Sequence, residues 1–261
     1  MSKIGIGIVT CNRNNFFNKC IESIKEEWYD ELVVVNDGDL PLRHPKINII
    51  NNTKNLGVCK SKNILFKELL NANCDFIFIV EDDMVFKDNA FQAYINAHKK
   101  TGIHHMMFGY HGPINKGNVS KGTPRPRKVI DYGDFKLALN SGCVGAVCFY
   151  TKESLKNIGI FDEDFNKNNF EHVEHSYRLA KAGYSTPYWW WSDLANSPDY
   201  IEEQACSEDN SAIRRGDNWQ QKIFESAEIF KKKHGYMPAW QNSVPDTNIE
   251  DIVKFLKKLK K

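Results

Sequence analysis

Glu81, Asp82 and Asp83 stand side by side directly behind the apolar run Phe76 to Val80. Three adjacent carboxylates repel one another, and a hard divalent cation that accepts their oxygens offsets the repulsion. A metal-bridged diphosphate suits such a cluster; a solvated acidic turn is the plainer reading. A second group, Glu171-His172-Val173-Glu174-His175, opens a segment of helical period that runs on through Arg178. On a helix, Glu171, Glu174, His175 and Arg178 recur three or four apart, and His172 shares a flank with His175. Acids in a first turn are favoured by the helix dipole, which makes capping one explanation. Metal ligation and general-base work are the others, although the order EHxEH differs from the HExxH of zinc hydrolases. Thr10, Asn12 and Arg13, with Asn36 and Asp37, offer amide, carboxylate and guanidinium groups to a base and a phosphate, or serve as caps and turns.

Such groups need a frame to gather them, and the hydrophobic pattern supplies one. Ile4 to Val9, Leu32 to Val35, Ile47 to Ile50 and Phe76 to Val80 are short, largely β-branched runs. Phe17, Cys20, Ile21, Ile24 and Trp28 recur at three and four after the first, and Ile64, Leu65 and Leu69 do so after Gly57. The alternation predicts βαβ units, and strands this uniformly apolar predict a parallel sheet covered on both faces. The polar groups then fall at the carboxyl ends of strands, where open α/β sheets bind ligands. Further helices are expected from Asp88 to about Lys99, Lys152 to Ile158, Glu171 to Ala182 and Asn218 to His234, with strands at Met106 to Tyr110 and Val144 to Tyr150. Residues 111–128 lack periodicity and read as a mobile loop carrying Arg125, Arg127 and Lys128. From Asn248, a stripe of Ile249, Ile252, Val253, Leu256 and Leu259 beside five lysines reads as an amphipathic helix.

The chain has 261 residues, 41% hydrophobic and 26% charged, a balance that excludes a disordered or fibrous protein. Its 35 Lys and Arg against 33 Asp and Glu leave a formal charge of +2, too small to coat nucleic acid by itself. Seven cysteines without CxxC spacing read as buried thiols of a reducing compartment. No apolar stretch approaches the ~18 residues of a membrane span, and the start MSKIGIGIVTCNR reads as a first strand rather than a secretory leader. A cytoplasmic protein is expected. GxGxxG and GxxxxGK[ST] are both missing, which removes the usual dinucleotide and P-loop phosphate sites.

In chain order, IGIGIVTCNR, VVVNDGD, NTKNLGVCKSKN, FIFIVEDDM, LNSGCVGAVCFYTKESLKNIGIFDEDF and FEHVEHSYRLAKAGY resemble successive motifs of the family 2 glycosyltransferases, inverting GT-A enzymes that use nucleotide-diphosphate sugars. The resemblance implies an α/β GT-A fold: a mostly parallel central sheet, flanking helices and a C-terminal helical extension. It implies a catalytic domain at 1–186 and an extension at 187–261 packed on it, with acceptor-side elements and the amphipathic helix. The activity implied is transfer of a hexose or N-acetylhexosamine from a nucleotide-diphosphate sugar, with UDP the expected nucleotide, to an acceptor hydroxyl, with Mn2+ or Mg2+ as cofactor. The acceptor stays open among a glycan, a lipid-linked sugar, a protein and a modified nucleic-acid base. The lysine-rich tail leaves open a peripheral contact at the inner face of a membrane.

By the same resemblance Thr10, Asn12, Arg13, Asp37, Asn55, Lys62 and Asp82 would bind the donor, Asp83 would ligate the metal with Glu81 beside it, and Asn140, Ser141 and Gly142 would border the acceptor. Where relatives carry a catalytic Asp this chain has His172, preceded by Glu171; position favours His172 as the base and chemical type favours Glu171. His111 and His234 are candidates to complete a metal shell. Tyr188-Trp189-Trp190-Trp191 is core packing or a stacking platform for a ring. Two rival readings are a sugar-phosphate nucleotidyltransferase and a noncatalytic nucleic-acid or membrane-surface binding protein. The first needs a glycine-rich basic loop after strand one, which TCNRNN is not; the second gives the three clustered acids no task.

Overall fold

A computed structural model describes residues 2–111, 115, 125–165, 170–204, 218–235, 238 and 254. Cys206, most of the loop expected at 111–128 and all but Lys254 of the expected tail helix lie outside the described residues. The apolar runs become strands and the periodic segments helices. In chain order these are β1 (Ile4–Thr10), α1 (Asn14–Glu22), β2 (Glu31–Asn36), β3 (Asn48–Asn51), α2 (Val58–Asn71), β4 (Phe76–Glu81), β5 (Met84–Phe86), α3 (Ala90–Thr101) and β6 (His105–Met107). There follow β7 (Lys128–Asp131), β8 (Lys136–Asn140), β9 (Val147–Thr151), α4 (Lys152–Ile158), α5 (Glu171–Lys181), β10 (Trp191–Leu194), β11 (Ile201–Glu203) and α6 (Trp219–His234).

The central sheet runs β3-β2-β1-β4-β9-β6. Its first four strands are parallel, and β9 is antiparallel to both neighbours. Side chains of β1 alternate between two cores: Ile6 and Ile8 pack with Phe17, Phe78, Phe91 and Tyr94, while the opposite face meets Leu65, Phe66 and Leu69 of α2. Glycines on that second face set the spacing. A Cβ on Gly5 would lie 2.7 Å from Cys74 Sγ, and one on Gly7 would lie 3.0 Å from Leu65 Cβ, so only bare backbone lets α2 seat this closely. In register, Thr10 sits beside Asn36 and Val9 beside Glu81, which lines up the carboxyl ends of β1, β2 and β4.

Several boundaries differ from the sequence reading. Trp28 lies in a separate 3-10 turn, Glu26–Trp28, rather than on α1. The strand expected to reach Tyr110 stops at Met107, because the chain turns at Gly109–His111, where the Gly109 amide donates to Asp193 (2.9 Å). Val144 and Gly145 belong to the turn before β9 rather than to the strand. Two small antiparallel sheets, β10-β8-β7 and β11-β5, carry strands of three to five residues, too short to announce themselves by alternation. Tyr188, Trp189 and Trp191 are core residues, whereas half-buried Trp190 lies under the Arg127 guanidinium at 5.2 Å. The six described cysteines are all free thiols. Among the described residues, no helix is long and apolar enough to cross a membrane.

Candidate active site

The turn after β4 holds Asp82 and Asp83 at the end of five buried apolar residues, so both carboxylates leave the sheet at its carboxyl edge. Thr10, the last residue of β1, donates its hydroxyl to Asp82 (2.7 Å). Arg13 places its fork across both acids: Nε and Nη2 reach Asp82, and Nη1 lies 3.1 Å from Asp83 Oδ2. Burial pushes the Asp82 carboxyl up to about 6, against the pull of Arg13 and Thr10. Asp83 is also raised by burial and by Glu81. Its Oδ1 is buried and, among the described residues, has no hydrogen-bond partner.

Asp37, Asn12 and Asn55 are occupied with shaping the neighbouring loops. Asp37 accepts from Asn52 (2.7 Å) and from the amides of Leu56 (2.7 Å) and Gly57 (2.9 Å), which fixes the entry to α2. Asn55 donates to the Asp37 carbonyl (3.0 Å). Asn12, with φ of 55°, exchanges two hydrogen bonds with Asp39. A cavity of about 370 Å³ opens here, lined by Asn12, Arg13, Asn14, Phe16, Asn36 and Leu40 among others.

Lys62 does not line that cavity. Its side chain is 1% exposed, and its ammonium lies 2.8 Å from Glu81 Oε1, 3.1 Å from the Gly145 carbonyl and 3.5 Å from Glu171 Oε1. Burial pulls the Lys62 pKa down, but Glu81 and Glu171 more than offset it and leave it raised. Glu171 and His172 open α5. Burial pulls Glu171 up, whereas His172 and Lys62 hold it below the usual carboxylate range. His172 Nδ1 is 3.4 Å from Glu171 Oε1, and among the described residues its Nε2 has no partner. Glu174, by contrast, is held by Arg178 Nε (2.8 Å) and by His234 Nε2 (3.2 Å), so His234 belongs to the packing of α5 on α6 and not to the acid cluster.

Asn140 ends β8, and Ser141 and Gly142 form the turn behind it. Gly142 exchanges hydrogen bonds with the Asn115 carboxamide (2.8 and 3.1 Å), which also donates to the Gly109 carbonyl (2.7 Å). The same turn runs on to Gly145, against the His172 ring. His111, at the end of the neighbouring turn, has Nδ1 3.0 Å from Glu203 Oε1, at ion-pair range without hydrogen-bond alignment. Burial pulls His111 down, but Glu203, Glu81 and Asp83 raise its pKa above the ordinary value. Glu203 and Gln204 carry no sequence signal, yet Glu203 meets His111 and Gln204 reaches the acid turn. The Gln204 amide N–H donates to the Asp83 carbonyl (2.8 Å), and its side chain donates to the carbonyls of Phe16 (3.0 Å) and Asp82 (3.4 Å).

Among the described residues, no three His, Cys, Asp or Glu side chains form a cage for a metal ion. A diphosphate-borne cation needs less: Mg2+ is commonly held by one or two carboxylates, with substrate phosphates and water completing its shell. The unpartnered, buried Asp83 Oδ1 fits that single-ligand role.

The mostly parallel six-stranded sheet with its flanking helices is that of a GT-A fold, and the chain belongs to glycosyl transferase family 2, a family of nucleotide-sugar glycosyltransferases, whose family model matches residues 6–159. It is 28% identical over 227 residues to an uncharacterized glycosyltransferase of Acanthamoeba polyphaga mimivirus, covering 81% of this chain and 85% of that one. Among solved structures it is similar to S. aureus TarS 1-349 in complex with UDP-GlcNAc, at a TM-score of 0.58 and 14% identity, over 98% of this chain and 72% of TarS 1-349. A second crystal structure of TarS 1-349 gives a TM-score of 0.53 at 14% identity, over 98% and 71%. These structural likenesses concern the fold.

Proposed function

We propose that the chain is a metal-dependent, inverting glycosyltransferase that moves a hexose or N-acetylhexosamine from a UDP-sugar to an acceptor hydroxyl. The observation that carries this reading is the pairing of two chemically distinct groups through one lysine. Asp82 and Asp83 stand at the end of β4 behind Glu81, His172 stands beside Glu171 at the start of α5, and Lys62 touches both glutamates. Donor residues would come from 1–186, and 187–261 would pack on them as an extension.

In the reaction the acceptor oxygen attacks the anomeric carbon from the face opposite the diphosphate, and the bond from that carbon to the diphosphate oxygen breaks. His172 Nε2 takes the acceptor proton, while Glu171 at Nδ1 fixes the ring and stabilises the imidazolium that forms. The 3.4 Å separation is long for a hydrogen bond and tightens as the acceptor binds. Thr10 and Arg13 hold Asp82 toward the donor ribose. Asp83 would hold a divalent cation, which would supply positive charge to offset that developing on the leaving diphosphate. The acceptor class stays with its test: a screen of nucleotide-sugars against glycan, lipid-linked, protein and nucleic-acid acceptors, read by mass spectrometry. A mass increment of one hexose or N-acetylhexosamine is expected, and no transfer from any nucleotide-sugar would overturn the reading.

A further inference from the structure

Lys62 occupies the place at which the family resemblance implies a donor ligand, yet its surroundings leave nothing for a phosphate. An ammonium has three donors and no acceptor. Here three acceptors surround it from three separate parts of the fold: Glu81 at the end of β4 (2.8 Å), the Gly145 carbonyl in the turn before β9 (3.1 Å), and Glu171 at the first position of α5 (3.5 Å). With a side chain 1% exposed, it has no open face.

We infer that Lys62 is a positioning residue that fixes the proton-accepting imidazole relative to the donor acids, rather than a ligand of the diphosphate. This rests on the reading of His172 as the base. Glu81 immediately precedes Asp82, Glu171 immediately precedes and contacts His172, and Gly145 both accepts from Lys62 and carries the backbone on which the His172 ring rests. One buried cation therefore touches the neighbour of each reacting group. A buried charge is retained only when paired, and the pair is directional: removing the cation leaves Glu171 buried with a single weak partner, free to rotate away from His172. A rate that depends on the placement of the accepting nitrogen falls steeply when that placement loosens, while binding of the nucleotide alone does not.

The experiment compares wild type, Lys62→Met, Glu171→Gln, the double variant and His172→Asn. Affinity for UDP and for GDP with Mn2+ is measured by calorimetry, and slow hydrolysis of the matching nucleotide-sugar gives kcat and KM. Lys62→Met is expected to hold diphosphate affinity and KM within about threefold while kcat falls about 100-fold. Adding Glu171→Gln to Lys62→Met should lower kcat by less than about threefold more, because residues acting as one unit are non-additive. A loss of diphosphate affinity of about 30-fold or more, or multiplicative effects of the two substitutions, would overturn the assignment. Should Lys62→Met fail to fold, the double variant decides. Recovery of the melting transition on removal of the second charge supports the pair, and no recovery overturns it. Wild-type turnover in His172→Asn would remove the base reading alone, and coupling between Lys62 and Glu171 in the melting cycle would still judge the link.

Discussion

Gly145 lies against the face of His172: a Cβ built on Gly145 would stand 2.9 Å from Cγ of the imidazole and 3.0 Å from Nδ1. The ring that faces Glu171 is thus seated on bare backbone, and that same backbone accepts from Lys62 through its carbonyl.

Gly145→Ala tests whether this seat matters. The added methyl must push the ring aside, at about 1–3 kcal/mol of stability. Single-turnover hydrolysis of the nucleotide-sugar should slow about 10- to 100-fold, with nucleoside diphosphate affinity unchanged. Wild-type turnover in a folded Gly145→Ala protein would remove His172 from the chemistry.

Asp83→Ala should abolish the part of UDP binding that depends on Mn2+ and leave the part that does not. The substitution deletes a hard oxygen ligand, and Arg13 keeps its contacts with Asp82. Calorimetry with and without the metal separates the two parts. An undiminished metal effect would place the ion on other residues.

Acid should weaken the fold through His105, which is fully buried between the Phe149 carbonyl (3.0 Å) and Ser176 Oγ (2.8 Å) and stacks on Tyr150 at 4.5 Å. Burial lowers its pKa to about 4. The unfolded chain therefore binds a proton near pH 6.5 that the folded chain refuses until about 4, so stability present above 6.5 is lost as pH falls between those values. The loss amounts to about 3 kcal/mol. Asp193, which burial raises to about 7, works in the opposite direction, gaining stability as pH falls through that value. Comparing urea melts of wild type and His105→Gln at pH 7.5, 6 and 4.5 isolates the histidine. A stability difference that does not change with pH would refute the assignment.

Gln204→Leu removes two donors from the carbonyls of Phe16 and Asp82 while keeping the backbone bond to Asp83. A cost of about 1 kcal/mol per lost bond is expected, with nucleotide-sugar KM raised severalfold as the acid turn loosens. Melting curves and donor KM check it, and an unchanged KM would make Gln204 a packing residue only.

The central sheet was legible because its strands are buried on both faces and therefore spell continuous apolar runs; Ile4 to Val9 and Phe76 to Val80 leave little choice of element. Helices ended by Gly183 and Gly235 were equally plain, both glycines taking the left-handed conformation that closes α5 and α6. The acids and the Glu171-His172 pair were legible as residue types at strand and helix ends. What the sequence hid was contact across long chain separations. Lys62 read as a phosphate ligand because its type and motif position say nothing of three acceptors converging from β4, the Gly145 turn and α5. Gln204 directly follows the three-residue strand β11, which pairs with the three-residue strand β5, and both are below the length at which periodicity carries information.

The bond from Gln204 to the Asp82 carbonyl spans 122 residues of chain. All six central strands are present once Thr151 has been made, whereas the residue that staples the acid turn comes later. During synthesis at about 5–20 residues per second, the sheet precedes its staple by about 3–10 s. A nascent chain on the ribosome thus carries all six strands of the central sheet before the residue that staples its pair of acids has been made.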